Sequence, residues 1–285
     1  MPPHVQLITN PDAGSYRAAK IEALRHAFSR QGAKVTLTHC GPGRDAQIAE
    51  DADLIVVAGG DGTLRHVAIA ALASRKRIPI ACFPMGTVNL LHLEQGGPAS
   101  PEAFAKAALE RPQEQLHVPA SINGHVFLAC ASIGPDSRAV ANVSLRLKSR
   151  IGRYAYGMAM LAMVPRWKRS QLTLIIDGQE HRCEAVYIAK GTYFAGPYSF
   201  APDARRTGPT LHVVALKSAS RLAFIRFVLA LVRGRSLDED RNILTFECSA
   251  LDVHGDADCP VQADGDVIAR VPVRIAVSDQ RLSFH

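Results

Sequence analysis

Residues 54–67 read LIVVAGGDGTLRHV, and this stretch decides the fold of the first part of the chain. Five apolar residues lead into Gly59–Thr63, and an alanine-rich helical pattern follows. A short apolar run that ends in glycines before a helix is typical of a buried parallel strand whose turn binds an anion. Glycine lets backbone N–H groups approach that anion closely, because it has no Cβ. A phosphate would repel Asp61 unless a cation lay between them, so the stretch favours a nucleotide with Mg²⁺ and phosphoryl transfer.

Other interpretations of this turn have to be weighed. A glycine-rich turn can be no more than a tight connection between a strand and a helix. A dinucleotide-binding turn is disfavoured, because G-x-G-x-x-G is absent and that fingerprint belongs to the first βα unit of its fold. The P-loop pattern G-x-x-x-x-G-K-[ST] is absent as well. Further motifs along the chain favour the functional interpretation.

Five motifs in a fixed order carry a resemblance to a known family. They are Asn10–Gly14, Gly59–Thr63, Pro84–Asn89, Ala131–Asp136 and Asp264–Asp266, with a weaker match at Phe200–Ala204. In this order they resemble the diacylglycerol kinase catalytic domain family of lipid kinases, which includes sphingosine and ceramide kinases. The resemblance covers nearly the whole chain. It implies ATP and Mg²⁺ as cofactors and the hydroxyl of a lipid alcohol as the acceptor.

The resemblance also implies a set of nucleotide-binding residues in the first three motifs. Asp61 would organise Mg²⁺ and the ATP phosphates, directly or through water. Simpler roles stay open: an Asx turn at Asn10, a helix N-cap at Thr63, and a turn with a helix cap around Asn89. The nucleotide-binding candidates are Asn10, Gly14, Gly59, Gly60, Gly62, Thr63, Gly86, Thr87 and Asn89.

Two acidic residues of the later motifs are the remaining catalytic candidates. Asp266 is the candidate general base, because a lipid hydroxyl must lose its proton as it attacks the γ-phosphate. The alternative is that Asp264-Gly265-Asp266 only forms a hairpin turn. Asp136 resembles the family's other acidic residue, which positions the base or the substrate hydroxyl.

The chain departs from the family pattern in three places. Arg65-His66 stand where the family commonly has Asn-Glu. Asp266 stands where the family usually has Glu, so its side chain is one methylene shorter. The loop 205–209, Arg-Arg-Thr-Gly-Pro, lacks the acidic residues that often bind a structural Mg²⁺ in the family. We therefore do not expect that second metal site here.

Composition limits the class of protein. The chain has 285 residues, is 47% hydrophobic and carries a net charge of +7, which suits one large domain or two ordinary ones. The six scattered cysteines include no C-x-x-C pair, so free thiols are expected rather than disulfides or zinc. We see no signal peptide and no apolar run of about 20 residues. The expected location is cytoplasmic, with peripheral association at the inner face of the membrane.

Two domains are expected from the change in pattern near residue 119. Residues 1–118 alternate strand and helix, which predicts a Rossmann-like α/β nucleotide-binding domain with a parallel sheet. In that half a short helix is predicted at Ala46–Glu50. Residues 119–278 predict an antiparallel β-sandwich lipid-substrate domain with two helical insertions, near Ser144–Val164 and Ala219–Arg233. The resemblance implies that a final strand, about 279–285, returns to the first domain.

Positive charge concentrates in one part of the chain. Residues 137–170 contain eight basic residues and no acidic one, so the rest of the chain sums to −1. The basic segment 138–170 and the helix 219–235 both combine apolar and basic residues, as helices on anionic bilayers do. The other interpretation is that each apolar stripe packs on the sandwich. No nucleic-acid-binding module is recognised, and a homodimer stays open.

The leading hypothesis is an ATP- and Mg²⁺-dependent lipid kinase that acts on diacylglycerol, ceramide or a sphingoid base. One rival is an NAD kinase, whose family shares a Gly-Gly-Asp-Gly-Thr motif. Another is a catalytically weak lipid-binding regulatory protein, which Arg65-His66 and Asp266 would favour. Fold alone does not choose among these hypotheses.

Overall fold

The computed structural model describes residues 1–13, 16–86, 88–110, 114–142, 167–237 and 239–285. The chain divides into two compact units. The first contains residues 1–118 and 280–285, and the second contains residues 119–279. Each is described on its own below.

The first unit is built on a six-stranded sheet in the order β2-β1-β3-β4-β18-β5. All neighbours are parallel except β18 and β5, which are antiparallel. The sheet thus has the expected parallel strands and gains an antiparallel edge. Its strands are β1 (His4–Thr9), β2 (Lys34–His39), β3 (Leu54–Gly59), β4 (Ile80–Pro84), β5 (Gln115–His117) and β18 (Leu282–Phe284).

Four helices accompany this sheet. Apolar positions recur on one side of the first, where Ile21, Leu24 and Phe28 are buried. Phe104 of the fourth helix joins this core, with its ring 6.3 Å from Phe28 and 5.1 Å from Phe83. The helices are α1 (Ala18–Arg30), α2 (Asp61–Ala73), α3 (Leu90–Gln95) and α4 (Pro101–Leu109).

The expected helix at Ala46–Glu50 is wrong, because this segment is an irregular loop. The buried side chain of Gln6 supplies the reason. Its amide group donates to the carbonyl of Gln47 at 2.7 Å and accepts from the N–H of Ala49 at 2.9 Å. These backbone groups therefore bond to the Gln6 side chain of β1 instead of forming the hydrogen bonds of a helical turn.

The second unit contains two six-stranded antiparallel sheets. Their orders are β10-β9-β14-β17-β6-β7 and β13-β12-β11-β8-β15-β16. In chain order the strands are β6 (Ala120–Ile122), β7 (His125–Phe127), β8 (Cys130–Ile133), β9 (Leu172–Ile176), β10 (Gln179–Cys183), β11 (Ala185–Ala189), β12 (Leu211–Leu216), β13 (Ile243–Cys248), β14 (Ala250–Gly255), β15 (Pro260–Ala263), β16 (Asp266–Arg270) and β17 (Val273–Val277).

Strand alternation gives the second sheet two apolar faces. On β11, Val186 and Ile188 enter a core shared with strands of the other sheet, whereas Ala185, Tyr187 and Ala189 face the opposite way. The helix α6 (Arg221–Val232) covers that outer face. The other helix described in this unit is α5 (Pro135–Asn142). The insertion expected near Ser144–Val164 lies outside the described residues.

The expected fold class is confirmed: an α/β unit with parallel strands precedes an antiparallel β-sandwich. All six cysteines are free, and all but Cys82 are buried. Within the described ranges, none of the helices is long and apolar enough to cross a membrane.

Candidate functional site

The second motif, Gly59–Thr63, lies at the carboxyl end of β3. Gly60 is the N-cap of α2, and the helix begins at Asp61, so Thr63 lies inside the first turn. The N-cap role considered for Thr63 is therefore wrong. Thr63 is instead a buried packing partner of the turn, because a Cβ on Gly59 would lie 2.6 Å from the Thr63 Cβ.

The second and third glycine motifs touch through their backbones. A Cβ added to Gly86 would lie 2.3 Å from the Gly60 Cα, and one added to Gly60 would lie 2.9 Å from the Gly86 Cα. No side chain fits at either position without moving the backbone. The two motifs therefore form one continuous glycine surface at the carboxyl edge of β3 and β4.

Asn89 closes the third motif into a compact loop. Its side-chain oxygen accepts from the N–H of Gly86 at 2.7 Å, and its amide donates to the Gly86 carbonyl at 2.9 Å. Asn89 has a left-handed backbone at φ 57° and stands at the N-cap position of α3, but its side chain makes no capping hydrogen bond. The turn interpretation of this residue is therefore correct, and the side-chain cap is not. Gly62 lies in the first turn of α2, while Gly14 and Thr87 lie outside the described residues.

Asp61 links α2 to α3. One of its carboxylate oxygens accepts from the N–H of Leu90 at 2.8 Å, so the residue has a structural contact as well as its candidate role. The carboxylate is partly exposed and stands in the first turn of α2. A carboxylate fixed beside helix N–H groups can hold a cation against an anion bound there.

Asn10 forms the Asx turn that was considered for it. Its side-chain oxygen accepts from the N–H of Asp12 at 2.9 Å. The same side chain fills the space beside Gly41, where a Cβ would come within 2.8 Å of it. These contacts place Asn10 at the carboxyl end of β1, and they are sufficient to explain it structurally.

Lys20 is a cation at this edge that the sequence reasoning missed. Its Nζ donates to the carbonyl of Pro84 at 3.4 Å and lies 4.7 Å from the centre of the Phe83 ring. The side chain is therefore held beside the start of the third motif. A lone lysine on an amphipathic helix carries no spacing signal, so only the fold could reveal this position.

A separate cavity of the first unit lies at the other end of the sheet. It has a volume of about 710 Å³ and is bounded by residues that include His4, Lys34, Asp51 and Asp53. These residues stand at or before the amino ends of the strands. Ligands of open α/β sheets bind at the carboxyl ends, so we place the candidate site at the glycine motifs.

In the second unit, the fifth motif forms a two-residue hairpin between β15 and β16. Asp264 and Gly265 both have positive φ, at 48° and 86°, as a type I′ turn requires. Ala263 and Asp266 are the strand residues paired next to the turn. The hairpin interpretation is thus correct, and it fixes the partly exposed Asp266 at the first position of β16.

Asp264 has a structural role. Its carboxylate accepts three backbone N–H groups, from Leu128 at 2.7 Å, Ala129 at 2.9 Å and Cys130 at 3.2 Å. These three N–H groups lie at the break between β7 and β8 and at the first residue of β8. The hydrogen bonds also tie the hairpin to the start of β8, which leads to the fourth motif.

Asp136 stands in the first turn of α5, after a tight glycine. A Cβ on Gly134 would lie 2.7 Å from the Ala185 Cβ. The Asp136 Oδ2 accepts a short hydrogen bond from the Ser132 hydroxyl, whereas Oδ1 is buried and makes no hydrogen bond. Burial raises the pKa of Asp136 to about 6, against the opposing effect of the Ser132 hydrogen bond.

Tyr187 is the buried neighbour of Asp136. Its buried hydroxyl interacts with the carboxyl group of Asp136. Burial is the main cause that raises the pKa of Tyr187 well above its usual value, and the Asp136 charge adds to it. A carboxyl group that is desolvated and only partly hydrogen-bonded is a common feature of functional sites.

A chain of hydrogen bonds connects Asp136 to the hairpin of Asp266. Buried Gln262 donates to the Ser132 hydroxyl at 2.7 Å, and its carbonyl oxygen accepts from the Gly265 N–H at 3.1 Å. Ser132 in turn donates to Asp136. The fourth and fifth motifs are thus brought together within this unit. Ser132 lies in the fourth motif but was given no role, and Gln262 lies just before the fifth motif, where no pattern marks it.

The loop 205–208 holds an internal cation where the resemblance suggested a structural metal. Buried Lys190 donates through Nζ to the carbonyls of Arg205 at 3.1 Å, Arg206 at 3.2 Å and Gly208 at 2.8 Å. Three carbonyl oxygens suit the N–H donors of an ammonium group. The loop offers none of the carboxylates that a divalent cation favours. These residues do not fit a second Mg²⁺.

The described part of the basic segment 138–170 forms ion pairs. Arg169 makes two hydrogen bonds to Glu184, at 2.7 and 2.6 Å. Lys168 lies 2.6 Å and Arg138 lies 3.6 Å from Asp258. Two neighbouring acids therefore pair with these three cations. Residues 143–166 of the segment lie outside the described residues.

Sequence comparison identifies both units. The diacylglycerol kinase catalytic domain matches residues 4–119, and the YegS C-terminal NAD kinase beta sandwich-like domain matches residues 129–284. A diacylglycerol kinase of Mycobacterium tuberculosis (strain ATCC 25618 / H37Rv) is 28% identical over 298 residues, which cover 96% of this chain and 94% of that protein. A diacylglycerol kinase of Bacillus subtilis (strain 168) is 25% identical over 265 residues, covering 90% and 83%.

Solved structures show the same fold. A diacylglycerol kinase from Bacillus anthracis str. Sterne superimposes with a TM-score of 0.74 at 22% identity, and the match covers 99% of this chain and 96% of that one. Another structure from the same organism gives a TM-score of 0.80 with the same identity and coverage. Together with the domain matches, these similarities show that the chain belongs to the diacylglycerol kinase catalytic domain family, which is a family of kinases.

Proposed function

We propose that the protein transfers the γ-phosphoryl group of ATP to the hydroxyl of a lipid alcohol. The observation that carries the proposal is the hydrogen-bond chain from Asp136 through Ser132 and Gln262 to the turn of Asp266. It links the Asp136 carboxylate to the turn that precedes Asp266, and the pKa of Asp136 is raised to about 6.

The nucleotide side of the proposal rests on the glycine surface of the first unit. Backbone N–H groups in the first turn of α2 have no intrahelical acceptor and suit phosphate oxygens. The Gly60 and Gly86 contact leaves no room for a side chain that would block this approach. Lys20 adds a cation, and Asp61 offers a carboxylate for Mg²⁺. ATP with Mg²⁺ supplies the phosphoryl group when it is bound.

On the acceptor side, Asp266 takes the proton from the attacking hydroxyl. The turn holds its backbone in place, because Asp264 is bound to three N–H groups and Gln262 is bound to Gly265. Asp136 acts through this chain as a positioning residue. General-base assistance of this kind contributes about 10²- to 10⁴-fold in rate.

A soluble NAD kinase is the second candidate, and one observation favours it. The domain that matches residues 129–284 is described as NAD kinase beta sandwich-like. The curated relatives that match across both units are named diacylglycerol kinases, which is why the lipid acceptor is proposed first.

Transfer of ³²P from [γ-³²P]ATP tests the proposal. The acceptors are diacylglycerol, ceramide and sphingosine in mixed micelles, with NAD in a parallel reaction. We expect a labelled lipid with the native chain and a loss of label in Asp61→Asn. Labelled NAD without labelled lipid would establish the second candidate. ATP binding without transfer to any of these acceptors would favour a regulatory lipid-binding protein.

A further inference from the structure

Three buried residues connect the hairpin of Asp266 to a distant loop of the second unit. Residues 128–130, the bridge, are Leu128, Ala129 and Cys130, and they lie at the break between β7 and β8. Only Cys130 belongs to a strand, yet each of the six backbone polar groups of the bridge has a hydrogen-bond partner. Partners of this kind fix a buried segment that a sheet alone does not hold.

The hairpin holds one side of the bridge. The Asp264 carboxylate accepts from all three N–H groups of the bridge, and the Asp264 N–H donates to the carbonyl of Cys130 at 3.0 Å. Asp264 and Gly265 form the turn that precedes Asp266. A displacement of the bridge would therefore move the turn, and the start of β16 with it.

Two other segments hold the opposite side of the bridge through its carbonyls. The N–H groups of Lys190 and Gly191 both donate to the carbonyl of Ala129, at 2.8 and 3.1 Å. The guanidinium of Arg206 donates through Nη1 to the carbonyl of Leu128 at 3.4 Å. Leu128 therefore has a cation at its carbonyl and the carboxylate of the hairpin at its N–H.

Arg206 is buried, at 4% exposure, whereas its neighbour Arg205 is exposed. The loop keeps the backbone of Arg206 in place, because its carbonyl and two others of loop 205–208 accept from the Lys190 ammonium group. Burial of a guanidinium is unfavourable unless its charge meets polar groups. The polar group that it meets here belongs to the bridge, which leads directly to Asp264.

We propose that Arg206 is a positioning residue for phosphoryl transfer, and that it acts through the bridge on the hairpin of Asp266. The inference deepens the proposed function and rests on it for the role of Asp266 as the base. Lys190 fixes loop 205–208, and Arg206 extends that constraint to Leu128 and from there to Asp264. A shift of about 1 Å at a reacting group lowers the rate by about a hundredfold.

Steady-state kinetics of Arg206→Ala test the positioning role. We expect kcat to fall by about tenfold to a hundredfold, with an unchanged KM for ATP, because the glycine motifs belong to the first unit. Added ethylguanidinium should restore most of the lost kcat, since it replaces the missing donor to Leu128. Arg205→Ala is the matched control from the same loop, and it should keep the native kcat and show no response to ethylguanidinium.

Amide hydrogen exchange tests the link to the hairpin without ATP or an acceptor. In Arg206→Ala, the N–H groups of residues 128–130 and 264–266 should exchange about tenfold faster or more. The strands β9 and β10, residues 172–183, should exchange at the native rate. An equal increase in both regions would show a general loss of stability and would overturn the positioning role.

Arg206→Met keeps most of the side-chain volume and takes the place of Arg206→Ala in both measurements if the alanine variant does not fold. A native kcat in the folded variant would overturn the inference, and so would native exchange at residues 128–130 and 264–266. A native chain that phosphorylates no acceptor, together with faster local exchange in the variant, would instead refute the proposed function and leave the link from Arg206 to the hairpin intact.

Discussion

Two buried charged groups of the β-sandwich unit differ in how their polar atoms are satisfied. The Lys190 ammonium donates to three carbonyls of the loop 205–208. The Asp136 carboxylate has Ser132 on one oxygen and no hydrogen bond on the other. A buried charged group whose hydrogen-bonding atoms all have partners stabilises the fold. A buried charged group with an acceptor atom that lacks a partner lowers the stability, so it is retained for a reason other than stability. The comparison assigns Lys190 to structure and Asp136 to function.

Among the variants that test this comparison, Lys190→Met is expected to have the largest effect on stability. The substitution leaves three carbonyls without their donor, so we expect a loss of about 3–5 kcal/mol in the free energy of unfolding. Urea denaturation measures it. Lys217→Met is the control, because exposed Lys217 donates to one carbonyl, that of Arg241, and should cost less than about 1 kcal/mol. Similar losses in both variants would refute the structural role of Lys190.

The same loop predicts how stability responds to Mg²⁺. The Lys190 ammonium group already binds the carbonyls of loop 205–208. Removal of Mg²⁺ by EDTA should therefore leave the melting temperature of the ligand-free protein unchanged. Thermal denaturation with EDTA and with excess Mg²⁺ measures this. A melting temperature that rises with Mg²⁺ in the native chain, and rises further in Lys190→Met, would show that the loop binds the metal after all.

Asp136→Asn should act in the opposite direction on stability. The folded-state pKa of about 6 lies above the ordinary value of 3.8, so this group favours folding at low pH, and that contribution is lost as pH rises through about 6. The amide avoids the cost of a buried charge. We expect Asp136→Asn to be more stable than the native chain by about 1–3 kcal/mol at pH 8, with the difference shrinking toward pH 4. A pH-independent difference would contradict the assignment.

Stability and catalysis should separate in that variant. If the ionised Asp136 serves the reaction, Asp136→Asn should lose phosphoryl transfer while gaining stability at pH 8. Transfer by the native chain should decline below about pH 6, as the carboxylate gains its proton. Full activity of Asp136→Asn would place the residue outside the mechanism.

Gln262→Leu tests the link between Asp136 and the hairpin. The leucine removes both the donor to Ser132 and the acceptor for Gly265. We expect kcat to fall by about tenfold to a hundredfold with little change in KM for ATP, because misplaced groups lose rate more than binding. Gln179→Leu, on an exposed strand position, is the control. An unchanged kcat in Gln262→Leu would show that the chain of hydrogen bonds does not position Asp266.

The smallest expected effect is that of Asp266→Glu, which restores the residue that the family usually carries. One methylene moves the carboxylate by about 1 Å, so we expect transfer to fall by no more than about tenfold. Steady-state kinetics at saturating ATP measures it. A loss as large as that of Asp266→Asn would show that the shorter side chain is required.

The sequence predicted those parts of the molecule that have local signals. The glycine motifs at strand ends and the alternating strands can each be recognised from a few neighbouring residues. The fold class and the positions of Asp61 and Asp266 could therefore be predicted. The contacts made by Lys190, Ser132 and Gln262 could not be predicted. Gln262 and Ser132 are 130 residues apart and meet only because β8 and β15 are neighbours. Gln6 likewise overrides the local helical pattern at 46–50 through contacts more than 40 residues away.

The most direct test of the central claim is single-turnover transfer of ³²P from [γ-³²P]ATP to lipid by Asp266→Asn. The account predicts a rate about 10²- to 10⁴-fold below that of the native chain, with unchanged ATP affinity and melting temperature, because Asp266 is partly exposed and the hairpin is held by Asp264 and Gln262. Transfer at the native rate would contradict the assignment of Asp266 as the general base.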